Sequence, residues 1–148
     1  MKTVLFTLLL VFGLCSAGVC DIVFIGDKHC VPDELAKKDI EAIFLGNQKT
    51  WADKTEICLV LFTQPIVFDA FLNEYVGKPK HIYKSYWLRI VFTGRGKAPT
   101  GLGEEKLVIE QILKTKGAIG FVTSDYFHSS GPVEGIKVIK ISDGKNQK

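Results

Sequence analysis

The sequence predicts an α/β fold in which a mixed or parallel sheet is flanked by helices, and three observations carry that expectation. Four short runs rich in β-branched and aromatic residues lack polar alternation, the pattern of strands buried on both faces. Between them, apolar residues recur at spacings of three and four, the period of a helix that buries one face. Glycine or proline punctuates nearly every junction.

Taken in order, the chain opens with Met1-Lys2-Thr3, an apolar run from Val4 to Leu14, and the small residues Cys15-Ser16-Ala17-Gly18. A charged start, a short apolar centre and a small-residue exit are the layout of a cleavable export signal. The run is too short for a permanent span, since crossing about 30 Å of hydrocarbon takes roughly 20 residues. The expectation is therefore a signal over residues 1–17, a single domain over 18–148, and no membrane-spanning segment once the signal is removed. A domain of that size can bury one core.

The first strand is Asp21 to Gly26. After Pro32 and Leu35-Ala36, Lys37 to Leu45 reads as a helix with Ile40, Ile43 and Phe44 on one face, stopped by Gly46. Ile57 to Phe62 is a second, central strand. Ile66 to Val76 places Val67, Phe71 and Tyr75 at helical spacing and ends at Gly77. Pro79 opens a further helix towards Phe92, with Ile82, Tyr86 and Ile90 in register and Trp87 beside them. Thr93 to Gly103 is dense in glycine and proline and reads as a loop. Glu104 and Glu105 start a helix, where their charges suit the positive end of its dipole, and Val108 and Ile112 form its core face. Gly117 to Val122 and Ile136 to Ile141 are the last two strands.

The formal charge is +3, and acids and bases are interspersed, which points away from nucleic acid and from a polybasic membrane patch. With Cys15 in the signal, three cysteines remain. The spacing of Cys20 and Cys30 allows a disulfide without deciding it, and Cys58 in an apolar run reads as a small buried hydrophobe. His29-Cys30 is the only close pair of ligand-type residues, so no zinc site and no cofactor is expected. Ser124, Asp125 and His128 lack the glycines of a nucleophile elbow, and Glu104-Glu105 are neighbours that point apart on a helix; a non-enzyme is expected. Trp51 reads as a turn-packed structural residue, and His81 and His128 as surface residues.

Three phrases carry a family resemblance. Asp39 to Gly46 followed by Trp51-Ala52-Asp53, Tyr86-Trp87 through Ile90 to Gly96 with Pro99, and Gly117 to Val122 together resemble the short, single-lobe phosphate-type substrate-binding proteins of bacterial ABC transporters. The resemblance covers about Asp21 to Val122. It implies a single lobe of a type 2 periplasmic-binding-protein-like fold, a periplasmic location, phosphate or a similar oxyanion as solute, and a membrane transporter or sensor protein as partner. It also places the ligand loop after the second strand, at a helix start where free amides and the dipole favour an anion. That loop here is Phe62-Thr63-Gln64-Pro65-Ile66-Val67-Phe68. Thr63 and Gln64 are its hydrogen-bonding side chains, Pro65 removes one amide, and Phe68 stands where short relatives often carry arginine. Arg95, with Lys97 beside it, is the other candidate for an anion. The alternative expectation is a protein-interaction or sensory subunit that keeps the fold without binding a solute.

Overall fold

The computed structural model describes residues 20–144, so the export segment read over residues 1–17 lies outside the described residues. The elements are β1 (Ile22–Asp27), β2 (Glu34–Ala36), α1 (Lys37–Phe44), β3 (Cys58–Phe62), α2 (Pro65–Phe71), a π-helical turn (Leu72–Val76), α3 (Lys80–Phe92), β4 (Thr100–Leu102), α4 (Glu105–Lys114), β5 (Ala118–Thr123), α5 (Ser124–Ser130) and β6 (Ile136–Ser142). The six strands form one sheet in the order β2-β6-β1-β5-β3-β4. It is mixed: β1 runs antiparallel to both β5 and β6, whereas β2 is parallel to β6 and β3 is parallel to β4 and β5.

Helices cover both faces, as the absence of alternation requires. On one face Phe24 of β1 and its partner Phe121 of β5 meet Phe44 of α1 and Phe71 of α2, the rings of Phe71 and Phe121 stacking at 4.2 Å. On the other face lies Gly120, adjacent in β5, where a Cβ would stand 3.3 Å from Ile112 Cδ1 of α4. Successive strand residues point to opposite faces, so α4 packs opposite α1 and α2.

The first helix keeps its expected face, with Ile40, Ile43 and Phe44 fully buried, and α4 buries Val108 and Ile112. The face of α3 differs from expectation by one position: Tyr83 and Trp87 are buried while Ile82 is 45% exposed. The reason is polar. The last carbonyls of a helix lack intrahelical donors, and those of α1 are met from α3: Tyr83 Oη and Trp87 Nε1 donate to Phe44 O at 2.9 and 3.3 Å, and Tyr86 Oη donates to Leu45 O at 2.6 Å. Apolar spacing alone does not reveal that demand.

Three elements were not legible. β2 and β4 have three residues each, and the stretch read as a loop over 93–103 ends in β4, whose Thr100–Leu102 pair with Val60–Phe62 at the sheet edge. A glycine such as Gly101 is tolerated at such an edge. The polar α5 buries no residue and so leaves no apolar pattern. The helix read over 66–76 starts at Pro65 and changes to π-helical winding from Leu72, ending where Gly77 N donates to Leu72 O at 2.7 Å.

Candidate functional site

The head of α2 is the first place to look for an oxyanion, and both donors of Thr63 are already engaged there. Thr63 donates both its amide and its hydroxyl to Leu102 O, at 2.8 and 3.0 Å, which ties the loop to β4. Gln64 is the N-cap: its Oε1 accepts the Val67 amide at 2.9 Å, and its backbone carbonyl accepts the Phe68 amide at 2.8 Å. Pro65 at the first helical position has no amide hydrogen. The Gln64 and Ile66 amides keep no partner there, and the Ile66 side chain is 70% exposed.

Phe68 takes no part in a polar site. It is buried at 2% exposure, stacks on Phe71 and meets Tyr83 edge-on, and Lys80 Nζ lies 5.8 Å from its ring centre. Burial pushes the Tyr83 phenol well above its ordinary pKa. Tyr75, half-buried beside Glu74, is pushed up to about 12, mainly by burial.

Arg95 sits elsewhere, in the turn after α3, where its amide donates to Ile90 O at 3.0 Å and its carbonyl accepts Lys49 Nζ at 2.8 Å. It rims a cleft of about 230 Å³ floored by Ile43, Ile57, Cys58 and Trp87. Lys97 on the same rim is paired with Glu56 at 3.2 Å. Among the described residues the Arg95 guanidinium has no carboxylate partner. Burial, reinforced by the charge of Glu56, raises the pKa of the Cys58 thiol. Thr63 lines a separate, mainly apolar groove of about 390 Å³ with Leu61, Phe68, Leu88 and Val91. The two depressions share Trp87 and Ala98 as a wall, and Gln64 lines neither. The fold therefore keeps Thr63 and Arg95 apart. Lys49 and Glu56 escaped sequence reading because their partners lie 46 and 41 residues away.

The remaining candidates resolve into structural roles. Trp51 is buried and its Nε1 donates to Gly117 O at 2.9 Å. Cys20 and Cys30, the pair that spacing allowed to bridge, are free thiols, as is Cys58. Burial, reinforced by Asp27 and by the charge of Asp53, raises the pKa of Cys30, while Thr55 works to lower it. Burial works to raise the pKa of Asp27, but hydrogen bonds from the Gly117 and His29 amides and from Cys30 outweigh it and hold the carboxyl below its ordinary value. Glu105, placed at the start of α4, accepts the Thr123 amide and so joins α4 to the end of β5. Ser124, Asp125 and His128 lie on α5, and His128 meets Phe127 edge-on.

The three phrases that carried the family resemblance prove to be joints of the fold. Asp39–Gly46 meets Tyr86-Trp87 through the carbonyls of Phe44 and Leu45, and Trp51 meets the strand phrase through Gly117. Such contacts specify a scaffold and leave the ligand open.

No family model and no curated protein matches the sequence. Solved structures share the fold. The chain is similar to PstS from Borrelia burgdorferi, with a TM-score of 0.64 at 11% identity over 86% of this chain and 49% of that one. It is likewise similar to a structure from Clostridium perfringens assigned as a phosphate ABC transporter substrate-binding protein and solved with bound phosphate, with a TM-score of 0.61 at 16% identity over 83% of this chain and 45% of that one. An ABC-type phosphate transport receptor from Vibrio cholerae matches with a TM-score of 0.50 at 10% identity, over 86% and 48%. The chain spans just under half the length of these proteins. Its fold is that of a single lobe, a mixed sheet flanked by helices on the periplasmic-binding-protein plan.

Proposed function

We propose that this chain is an exported, non-enzymatic module that keeps the lobe of a solute-binding protein as a scaffold and acts in the envelope as an interaction or sensory subunit of a transporter or sensor assembly. The observation that carries this reading is the depleted head of α2: Thr63 donates into β4, Gln64 Oε1 caps the helix, and Pro65 offers no amide. One lobe surrounds at most half of an anion, and charge-assisted bonds are strong chiefly where water is excluded.

Calorimetry of the mature domain with phosphate and sulfate, at low and high protein concentration, tests it. The expected result is no micromolar binding by the monomer. A monomer dissociation constant of 1 μM or tighter, about −8 kcal/mol, defeats the reading and restores phosphate binding.

A second reading is favoured by one observation, the Arg95 guanidinium without a carboxylate partner at the mouth of the cleft. It holds that a small oxyanion binds there. In that case Arg95→Ala abolishes binding and Thr63→Ala leaves it unchanged. The reverse pattern assigns the solute to the α2 loop.

A further inference from the structure

The interspersion of charge holds for most of the chain and fails in one segment. Between Glu74 and Glu104 the sequence carries Lys78, Lys80, Lys84, Arg89, Arg95 and Lys97 and no aspartate or glutamate. The whole chain has 19 Lys and Arg against 16 Asp and Glu, so outside this segment the acids are in excess. Charge is segregated, and the cationic part is α3 with the turn that follows it.

The same segment buries Tyr83 and Trp87 but exposes other large apolar side chains. Leu88 is 58% exposed, Val91 42% and Phe92 87%. On a helix, residues four apart fall in one row, so Lys84, Leu88 and Phe92 form a single line along the side of α3 away from the core. Val91 flanks that line on one side, and Arg89, about 100° round the helix from Leu88, flanks it on the other. The opposite side of the helix is pinned by the bonds from Tyr83, Tyr86 and Trp87 to the end of α1, so these apolar tips cannot rotate inward.

We infer that α3 forms a docking surface for an anionic lipid bilayer, with Leu88, Val91 and Phe92 entering the interface and Lys84 and Arg89 facing lipid headgroups. Charge complementarity selects the occupant: α3 carries Lys80, Lys84 and Arg89 and no carboxylate, which suits an anionic surface. Form also favours a membrane over a folded partner. Phe92 protrudes from the end of the helix, and a protein would need a pocket shaped to it, whereas a bilayer accepts apolar tips without shape complementarity. At 13 residues, α3 is about 20 Å long, enough to lie along a surface and too short to cross one. This assignment goes beyond the solute question and stands whichever way calorimetry decides it.

The test is co-sedimentation of the mature protein with vesicles of phosphatidylcholine alone and of phosphatidylcholine containing about 30% phosphatidylglycerol. Binding is expected on the anionic vesicles, weaker by about ten-fold or more on the neutral ones and in high salt. The double variant Leu88→Ser/Phe92→Ser should bind at least about ten-fold more weakly with an unchanged melting temperature, because both side chains are solvent-exposed. Lys84→Glu/Arg89→Glu should do the same. Leu113→Ser, an exposed position on α4 across the sheet, should leave binding intact. No binding to anionic vesicles at low salt overturns the assignment, as does equal binding by the Leu88/Phe92 variant. Concentration-dependent dimerisation that the same variant abolishes, without vesicle binding, also overturns it and gives the face to a second copy of the chain.

Discussion

Gly117→Ala tests the joint that ties Trp51, β3 and β5 together. Gly117 has φ +75, in the left-handed region, and its amide donates to Asp27 Oδ2 at 2.9 Å while its carbonyl accepts Trp51 Nε1 and the Cys58 amide. A Cβ there would stand 2.3 Å from Glu56 O and 2.8 Å from Thr55 Cγ2. Left-handed backbone costs a non-glycine residue about 1–2 kcal/mol, and forcing a methyl group into packed space costs about 1–3 kcal/mol. Because the nearer neighbour is backbone, relaxation is expensive, and the expected loss is about 2–5 kcal/mol. Urea unfolding followed by tryptophan fluorescence reads it as a midpoint lower by about 1–3 M at a typical slope. Gly77→Ala is the control: φ is +68 and ψ 25 there, also left-handed, but nothing lies within 4 Å of the added carbon, so only the backbone term applies. If the two variants lose equal stability, or if Gly117→Ala stays within about 1 kcal/mol of the parent, the steric argument is wrong.

Two further outcomes follow from the core and from the carboxylate beneath that joint. Phe44, fully buried among Phe24, Phe71 and Phe121, should cost about 3–5 kcal/mol when cut to alanine, and a Phe44→Ala domain that melts like the parent would refute the packing described for α1. Asp27 has a folded pKa below its ordinary 3.8, so its contribution is present above that value and is lost as pH falls through the depressed one. Asp27→Asn should therefore lower stability near neutral pH, with the gap to the parent closing below about pH 4; urea midpoints measured from pH 7 to pH 2.5 would show it, and a constant gap would assign the loss to packing alone.

The sequence by itself determined the α/β class, the four longer strands within a residue or two, and the buried faces of α1 and α4, because each rests on a local apolar period that burial enforces. It also showed a family resemblance, and the fold of the solved phosphate-binding structures agrees with it over about 85% of the chain. Tertiary structure decided the rest. Three-residue edge strands leave no period to read, and the face of α3 follows from the unmet carbonyls of α1, to which Tyr83 and Trp87 turn at the expense of Ile82. The α2 loop shows the same limit at the candidate site. Its residues are hydrogen-bonding types that sequence alone would offer to an anion, and only the approach of Leu102, 39 residues along the chain, reveals that the Thr63 hydroxyl is already given away. A side chain's chemistry is written locally, but its availability depends on what the folded chain brings beside it.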